Sequence, residues 1–285
     1  MEIGIGLPAA VPGVDGETLV EWARRAERRG FSTLGTIDRL VYDNYEPLAT
    51  LAAAAAVTST IRLTTSILLG PLRSNHALFA KQAATIDRLS NGRLVVGIAV
   101  GGREDDYTAS ELDFHRRGRE LDALLARATS IWRDPQADIG PATTGSGPRL
   151  VLGGSAPAVL RRMARYGDGW ILGAGGADAF REGASAARQA WAEAGRAGAP
   201  RLLALGYFAL GDGAADHARD YLGHYYAFAG PYAERVAAGA LTTTDAVRER
   251  IAQMSDAGCD ELILFPCSAD SNQVERLADA SLKQL

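Results

Sequence analysis

Two glycine-rich segments in the second half of the chain have the composition of a phosphate-binding site. Gly153, Gly154 and Ser155 follow one apolar segment, and Gly175 and Gly176 follow the next. Glycine lets the backbone approach an anion closely, and the free N–H groups at the start of a following helix attract it. Ser155 adds a hydroxyl donor. The same pattern also fits a plain strand-to-helix turn, so the motif by itself leaves both interpretations open.

Polar residues at the ends of other apolar segments could transfer protons or orient a ligand. Asp38 and Arg39 end the second such segment, His76 follows the third, and Tyr107 follows the fourth. A neutral imidazole can move protons at physiological pH, whereas arginine cannot act as a base there and would orient an anion or a ring oxygen. Each has a structural alternative: an ion pair or cap for Asp38 and Arg39, a solvent-facing helix start for His76, and a solvated charged loop around Tyr107.

These positions require a scaffold in which the ends of several strands converge. Strand-like and helix-like segments alternate eight times along the chain, which predicts a parallel sheet and favours its closure into a (β/α)8 TIM barrel. Ligands of such barrels bind at the C-terminal ends of the strands. The predicted strands cover residues 3–7, 31–37, 61–69, 94–100, 149–152, 170–172, 202–210 and 261–265. The predicted helices cover 17–29, 47–57, 77–89, about 119–132, a segment from 157, 177–194, most of 217–238, a segment ending at 258, and the end of the chain.

Three further segments have compositions that suggest a place in the fold. Residues 103–118 are charged and aromatic, and residues 134–148 are rich in proline and glycine. We expect both to cover a substrate at the mouth of the barrel. Residues 217–238 carry a cluster of histidines and tyrosines, which predicts core packing or a substrate wall in preference to a metal site.

Composition restricts the classes of function. The chain has 285 residues, 47% of them hydrophobic, and a net charge of −4, so we expect one large domain over 1–285 with no nucleic-acid or membrane partner. Cys259 and Cys267 form neither a disulfide framework nor a metal-ligand pattern. No apolar run reaches roughly 18 residues, and the first residues do not resemble a signal peptide. A cytoplasmic enzyme is expected. The lysines, Lys81 and Lys283, both lie on predicted helices, which argues against a Schiff-base lyase or isomerase.

Three segments resemble the bacterial luciferase-like family of flavin-dependent oxidoreductases. They read TTSILLGPLR, AKQAATIDRLSNGRLVVGIAVGG and GGSAPAVLRRMARYGDGW. The resemblance implies a flavin phosphate at the two glycine segments and a flavin ring across the third and fourth strands. It also implies a cis peptide bond between Ser66 and Ile67. The cofactor-binding residues it implies are Thr65, Ser66, Ile67, Ala99, Gly101, Gly153, Gly154, Ser155, Gly175 and Gly176.

The resemblance also implies the reaction class. The first expectation is a monooxygenase that uses reduced FMN and O2, with Asp38, Arg39, His76 and Tyr107 as polar or proton-transferring residues. Family members commonly have an Asp-His pair where this chain has Asp38-Arg39. The alternatives are hydride transfer by coenzyme F420, whose acidic tail would meet arginines such as Arg161, Arg162 and Arg165, and a non-catalytic flavin-binding subunit.

The partners that the resemblance implies are a small-molecule substrate and a second copy of the chain, and it leaves open a separate flavin reductase. The alanine-rich helix over residues 48–57 is a plausible dimer contact, although it would equally pack on its own barrel.

Overall fold

Eight parallel strands form a closed barrel in the computed structural model, which describes residues 1–173 and 175–282. Each strand pairs with its neighbours in sequence order, and β1 pairs with β8 to close the sheet. The strands are β1 (Glu2–Gly6), β2 (Thr33–Thr36), β3 (Arg62–Leu69), β4 (Leu94–Ala99), β5 (Arg149–Gly153), β6 (Gly169–Leu172), β7 (Arg201–Phe208) and β8 (Glu261–Pro266). The predicted (β/α)8 barrel is confirmed.

Eleven helices accompany the strands in the described residues. They are α1 (Gly16–Arg29), α2 (Pro47–Val57), α3 (His76–Leu89), α4 (Glu104–Ala109), α5 (Arg117–Arg133), α6 (Pro157–Tyr166), α7 (Ala177–Glu193), α8 (Ala214–Tyr225), α9 (Pro231–Ala238), α10 (Thr244–Asp256) and α11 (Asn272–Ser281). Lys283, predicted on the last helix, lies outside the described residues. None of the helices in the described ranges is long and apolar enough to cross a membrane.

Helix α1 shows how local sequence sets the elements. The Asp15 carboxylate accepts a hydrogen bond from the Thr18 N–H at 2.8 Å and caps the helix start. Gly30 ends the helix in the left-handed conformation, at φ 84°, which a residue without a Cβ adopts readily. The apolar residues between these caps recur at helical spacing and bury one face against the barrel.

Alternate residues of β3 to β8 contribute to two separate cores. One set packs outward against the helices, and the other fills the barrel interior. The ring of Phe265 occupies that interior beside Gly6 and Gly35. A Cβ added to Gly6 would lie 2.2 Å from this ring, and one added to Gly35 would lie 2.8 Å from it. These two glycines therefore make room for a large side chain inside the barrel.

An ion cluster closes the N-terminal end of the barrel. The buried Glu261 carboxylate on β8 lies 2.9 Å from a guanidinium nitrogen of Arg62 and 2.9 Å from one of Arg201. It also accepts a hydrogen bond from Thr33 at 2.5 Å. Arg62 and Arg201 both pair with Glu2 as well. Side chains from β1, β2, β3, β7 and β8 thus meet in one network.

The placement predicted for residues 134–148 is wrong. This segment connects α5 to the start of β5, so it lies at the N-terminal end of the barrel, opposite the strand ends at which ligands of such barrels generally bind. Its Thr144 N–H donates to the Asp87 carboxylate at 2.6 Å, near the turn that leads into β4. By contrast, residues 103–118 follow β4 and lie at the C-terminal end, as predicted. The predicted helical stretch 217–238 is divided into α8 and α9 at Gly230, where φ is 54°.

Candidate functional site

Strand β3 is irregular where it approaches the mouth of the barrel. Its register against β4 shifts between Thr65 and Leu68, and the peptide bond between Ser66 and Ile67 is cis, as predicted. The Thr65 hydroxyl donates a hydrogen bond of 2.8 Å to the carbonyl of Gly97 on β4. Thr65 therefore secures the irregular segment to the neighbouring strand, and it is not among the described residues that line the cavity at the mouth of the barrel.

A cavity of about 210 Å3 opens at the C-terminal end of the barrel. It brings together four of the residues predicted from sequence: Asp38, Arg39, Ser66 and Ile67. The other lining residues come from strand ends, from the segment after β4 and from the aromatic segment after β7. They are Ile37, Leu69, Gly102, Arg103, Asp106, Gly173, Leu205, Tyr207, Tyr225, Tyr226 and Phe228.

Asp38 is a buried carboxylate on one wall of this mouth cavity. It accepts hydrogen bonds from the Leu69 N–H at 2.8 Å and from the Arg73 guanidinium at 3.0 Å. Burial raises the pKa of Asp38 to about 6, although the Arg73 charge and the Leu69 hydrogen bond oppose that shift. A carboxyl group with such a pKa can exchange a proton near neutral pH.

Arg39 is held by a bidentate ion pair with Asp106 of α4. Its Nε lies 2.8 Å from one carboxylate oxygen and its Nη2 lies 3.1 Å from the other. Asp106 also accepts the backbone N–H groups of Leu40 and Val41. The Arg39 and Asp106 side chains are only 5% and 1% exposed, so the pair is fixed in a dry environment.

Two buried polar atoms of the mouth cavity have no hydrogen-bond partner within the described part of the chain. They are Nη1 of Arg39 and the Ser66 hydroxyl oxygen. A buried polar group without a partner costs about 1–3 kcal/mol, so a ligand that supplies the missing partners would bind with that gain. Nη1 can donate to an anionic or carbonyl oxygen, and the hydroxyl can donate or accept.

Aromatic side chains form a further part of the cavity lining. The hydroxyls of Tyr207 and Tyr226 lie 2.8 Å apart, and the Tyr225 and Tyr226 rings meet at a centroid distance of 4.9 Å. The Arg39 guanidinium lies 5.9 Å from the Tyr225 and Phe228 ring centroids, and Arg103 lies 4.2 Å from that of Phe228. Burial raises the pKa of Tyr226 to about 12, so this wall stays neutral and suits a flat apolar ligand.

Tyr107 and His76 are not among the described residues that line the mouth cavity. The Tyr107 hydroxyl donates to the carbonyl of Val100, and its ring packs edge-on against Phe114 at 5.2 Å. Burial raises the Tyr107 pKa to about 12. His76 is the first residue of α3 and is partly exposed. On α4 it is Asp106, one residue before Tyr107, that faces the cavity.

The first glycine segment, residues 153–155, packs against the irregular part of β3. A Cβ added to Gly153 would lie 2.5 Å from the Ile67 side chain and 3.4 Å from Ala99. Gly154 has φ 118° and its carbonyl accepts the indole N–H of Trp170 at 2.7 Å. Ser155 is exposed. Gly153 therefore has to lack a side chain for Ile67 to lie where it does.

Gly101 and the arginines of α6 have distinct surroundings. Gly101 has φ 73°, and a Cβ there would lie 2.7 Å from Leu69, so glycine is required at the end of β4. On α6, Arg162 is bound to the Asp122 carboxylate at 2.7 Å and to the Gly118 carbonyl. Arg165 lies 4.9 Å from the Tyr166 ring centroid. Arg161 and Arg165 are exposed, whereas Arg162 is already engaged.

The second glycine segment borders a separate cavity of about 190 Å3. Gly175 and Gly176 form one side of it, and Arg235 and Arg250 form another. Leu205 and Tyr207 line both this cavity and the mouth cavity, so the two spaces adjoin across β7. We call it the arginine cavity below.

Several residues that line the two cavities were not predicted from the sequence, although some of them lie in segments whose composition suggested a place at the mouth of the barrel. The aromatic cluster of residues 217–238 was expected as core or substrate wall, and Tyr225 and Tyr226 of this cluster line the mouth cavity. Arg103 follows a predicted strand end, in a charged segment expected at the mouth. Arg235 and Arg250 carry no local signal, because their role depends on where α9 and α10 pack around the barrel.

Comparison with known proteins identifies a family whose model matches nearly the whole chain. The family model for luciferase-like monooxygenases matches residues 1–281. An uncharacterized protein of Mycobacterium tuberculosis strain H37Rv is 33% identical over 173 residues, which are 56% of this chain and 61% of the relative. A protein of Kribbella flavida named F420-dependent glucose-6-phosphate dehydrogenase is 26% identical over 196 residues, 61% of this chain and 58% of the relative. The matches thus span about three fifths of these relatives.

Solved structures share the fold over nearly the whole chain. The monooxygenase RslO1 of Streptomyces bottropensis superposes with a TM-score of 0.80 at 22% identity, covering 100% of this chain and 99% of that one. An F420-dependent secondary alcohol dehydrogenase superposes with a TM-score of 0.81 at 18% identity, covering 98% and 97%. At these identities the likeness establishes the fold alone.

Proposed function

The chain belongs to the luciferase-like monooxygenase family, and on that basis we propose that it is a flavin-dependent oxidoreductase. In the first place we propose a monooxygenase that uses reduced FMN and O2 to oxidise a small organic substrate. When bound, the reduced cofactor supplies the electrons, and the protein supplies binding, orientation and exclusion of water.

One observation carries this proposal: the mouth cavity contains two buried polar atoms that lack partners, the Ser66 hydroxyl and Nη1 of Arg39. Both lie at the C-terminal end of a barrel, where ligands of this fold bind. Tyr207, Tyr225 and Tyr226 line the same cavity, and the Arg39 guanidinium lies 5.9 Å from the Tyr225 ring centroid. Together they fit a flat heterocycle that carries both apolar surface and hydrogen-bonding edges, as a flavin or deazaflavin ring does.

We assign the following roles to the chain's own residues. Ser66 and Ile67 lie behind the cofactor ring, and Gly153 leaves the space that Ile67 occupies. Arg39, fixed by Asp106, donates from Nη1 to an oxygen of the ring or of the substrate. Asp38 gives or takes a proton near neutral pH. His76 and Tyr107 have no contact with the cavity that would give them a direct part.

Hydride transfer with coenzyme F420 is the second candidate function. The observation that favours it is the relative from Kribbella flavida, which is named as an F420-dependent dehydrogenase. The acidic tail of coenzyme F420 would need cationic partners near the glycine segments. Arg162 is already bound to Asp122, whereas Arg235 and Arg250 border Gly175 and Gly176.

The test is a titration of the purified protein with FMN, reduced FMN and F420, monitored by tryptophan and cofactor fluorescence. We expect reduced FMN to bind, and its complex to consume O2 faster when a substrate is present. Selective binding of F420 would instead assign hydride transfer. Binding of FMN without turnover would indicate a non-catalytic flavin-binding subunit, and failure of all three cofactors to bind would refute the flavin assignment.

We also propose that the chain forms a homodimer through the face of α2. Small residues on this helix and on α1 border an apolar groove that includes Leu19, Ala49 and Ala53. Sedimentation equilibrium of the wild type and of an Ala53→Glu variant tests this, because a charge in the contact should shift the mass from dimer to monomer.

A further inference from the structure

The charges on the side chains that line the mouth cavity are balanced within the site. Arg39 forms its bidentate ion pair with Asp106, and Asp105 lies 3.7 Å from the same guanidinium. Arg103 donates from Nε to the Asp105 carboxylate at 3.0 Å and pairs with it through a second nitrogen as well. Both of these arginines line the cavity, and each already has a carboxylate partner.

An anionic ligand would therefore meet carboxylates in this cavity. Asp38 and Asp106 line it, and Asp38 is itself paired with Arg73. Among the described residues of the lining, every arginine has a carboxylate partner and no lysine is present. Like charges brought together away from water weaken binding, so this lining disfavours a carboxylate or phosphate relative to a neutral group of the same shape.

One nitrogen of the buried Arg39 is left to bind such a neutral group. Nε and Nη2 of Arg39 donate to Asp106, and Nη2 also donates to the Val41 carbonyl at 3.2 Å. Nη1 has no partner in the part of the chain that the structure describes, although the side chain is only 5% exposed. A guanidinium whose charge is already paired can still donate a hydrogen bond, and a carbonyl oxygen is a neutral acceptor for it.

The aromatic side chains of the lining favour a flat ring. Tyr225, Tyr226 and Phe228 form what we call the aromatic wall of the cavity. The Tyr226 and Phe228 rings are stacked at a centroid distance of 6.2 Å and an interplanar angle of 27°. Phe228 is 52% exposed, with the Arg103 guanidinium 4.2 Å from its centroid. A large apolar ring left this exposed at the rim of a cavity provides a surface for an aromatic ligand.

We propose that the substrate in the mouth cavity is an uncharged aromatic molecule with a carbonyl group, whose ring packs on the aromatic wall and whose carbonyl oxygen accepts from Nη1 of Arg39. We call this position the neutral-ligand site. Asp105 is its specificity-determining residue, because it balances the charge of Arg103. The identity of the ligand as a substrate rests on the proposed function, in which the cofactor ring lies against Ser66 and Ile67, whereas the preference for a neutral ligand follows from the charges alone.

Benzamide and benzoate are the matched probes, because they share a flat ring and differ in charge. Ligand-observed NMR titration of the cofactor-free protein should give an affinity for benzamide at least about 10-fold higher than that for benzoate. Cyclohexanecarboxamide, which has the amide group but no flat ring, should bind at least about 3-fold more weakly than benzamide. Equal affinities for benzamide and benzoate, tighter binding of benzoate, or no binding of benzamide would refute the neutral-ligand site.

The variant Asp105→Asn tests whether the charge balance of the mouth cavity sets this preference. Arg103 then lacks a charged partner, so benzoate should bind about 3–10-fold more tightly than to wild type, while benzamide affinity changes less than about 2-fold. The matched control is Asp122→Asn, because Asp122 also forms a bidentate pair, with Arg162, and does not line the cavity. The Asp105 and Asp122 side chains are similarly exposed, at 41% and 51%.

The control should match wild type with both probes, and circular dichroism melts should show that both variants unfold at the wild-type temperature. Benzoate affinity that is the same in Asp105→Asn as in wild type would refute Asp105 as the specificity-determining residue. A further variant, Phe228→Leu, tests the aromatic wall: benzamide should lose most of its advantage over cyclohexanecarboxamide. An unchanged advantage would refute packing of the ligand ring on this wall.

Titrations in the presence of FMN or F420, whichever cofactor binds, distinguish failure of the neutral-ligand site from failure of the proposed function. We expect benzamide to bind to the cofactor complex. If the cofactor displaces benzamide competitively, the probe lies in the position of the cofactor ring, and its assignment as a substrate is refuted. If no flavin or deazaflavin binds, the proposed function fails, and the relative affinities for benzamide and benzoate in wild type and Asp105→Asn still decide the neutral-ligand site.

Discussion

The Ser66 hydroxyl and the Thr65 hydroxyl are adjacent in sequence but differ in their partners. Thr65 donates to the Gly97 carbonyl, whereas Ser66 is buried without a partner among the described residues. A satisfied buried hydroxyl contributes to stability, and an unsatisfied one reduces it. We therefore assign Thr65 to the fold and Ser66 to the ligand.

Replacing these two residues should separate stability from binding. We expect Ser66→Ala to leave the free energy of unfolding unchanged or to raise it by about 1 kcal/mol, and to weaken cofactor binding by about 3–10-fold. Thr65→Val, the matched comparison, should lower the free energy of unfolding by about 1–2 kcal/mol. Urea unfolding measures the free energy of unfolding of each variant, and cofactor titration measures its affinity. An unchanged cofactor affinity in Ser66→Ala would show that the hydroxyl does not meet the ligand.

Asp38 should give the protein an unusual dependence of stability on pH. Its pKa is raised from an ordinary value of 3.8 to about 6, mainly by burial, so the folded state favours the protonated carboxyl. Wild type should therefore lose stability relative to Asp38→Asn as the pH rises from about 4 to 6, by about 2–3 kcal/mol in total. Above pH 6 the difference should stay constant.

Urea unfolding of wild type and Asp38→Asn between about pH 3.5 and about pH 7.5 would measure this difference. That range includes both the ordinary pKa of the Asp38 carboxyl, roughly 4, and its raised pKa, roughly 6. Arg73 retains Glu46 at 3.1 Å after the substitution, so its charge is not left alone. A difference that does not vary with pH, or that grows as the pH falls, would contradict the assignment of a raised pKa to Asp38.

At the scale of single elements, close contact between β3 and β4 supports the site. A Cβ added to Gly97 would lie 2.1 Å from the Thr65 carbonyl oxygen, which is backbone and cannot turn away. Gly97→Ala should therefore lower the free energy of unfolding by about 2–3 kcal/mol and weaken cofactor binding as the irregular segment shifts. Gly102→Ala is the control for stability alone, because a Cβ there meets nothing within 4 Å and its backbone is unstrained, whereas the residue itself lines the mouth cavity.

Thermal and urea unfolding of both alanine variants would measure this effect. If Gly97→Ala unfolds as Gly102→Ala does, then β3 and β4 adjust to the added methyl group and the irregular segment does not depend on this contact.

Elements with clear local signals were predictable from sequence. Helix α2 has the predicted bounds because Pro47 fixes its first turn, and α1 begins and ends at its capping residues Asp15 and Gly30. The break between α8 and α9 was missed, although Gly230 and Pro231 together are a signal for one. The six-residue helix α4 is too short to show a periodicity, so the sequence did not indicate that Asp106 and not Tyr107 faces the cavity.

The parts of the site that depend on packing between distant segments were not predictable. The partner of Arg39 is a carboxylate 67 positions away in sequence, and no local rule connects them. Residues 134–148 were placed at the wrong end because composition indicates a loop but not its position. The order of elements decides that position, since segments leading from a helix into a strand lie at the N-terminal end of the barrel.

For the whole molecule, the ion cluster around Glu261 joins strands on both sides of the barrel closure. Burial alone would raise the Glu261 pKa, but Arg62 and the hydrogen bonds from Ser32 and Thr33 outweigh it, and the pKa is lowered. Glu261→Gln should lower the free energy of unfolding by about 3 kcal/mol at pH 7, because two arginines lose a buried partner.

The direction in which the stabilisation by Glu261 changes with pH follows from the lowered pKa of its carboxyl group. The stabilisation is present above the ordinary pKa of 4.5 and is lost as the pH falls through the lower value in the folded state. Urea unfolding from pH 7 downward should show the wild-type and Glu261→Gln curves converging in acid. Glu2→Gln, whose side chain is 44% exposed, should have the smaller effect. Parallel curves would exclude this cluster as a source of acid sensitivity.

The two ends of this barrel also differ in how freely their sequence can change over evolution. The charges that hold the strands together lie at the N-terminal end, and the residues that line the mouth cavity lie at the other end. Mutations that alter the aromatic wall or the arginine cavity therefore need not disturb closure of the sheet. The chain can acquire a new substrate at one end while the other preserves the fold, and a directed-evolution library confined to residues 103–118 and 226–240 should retain a high proportion of folded members.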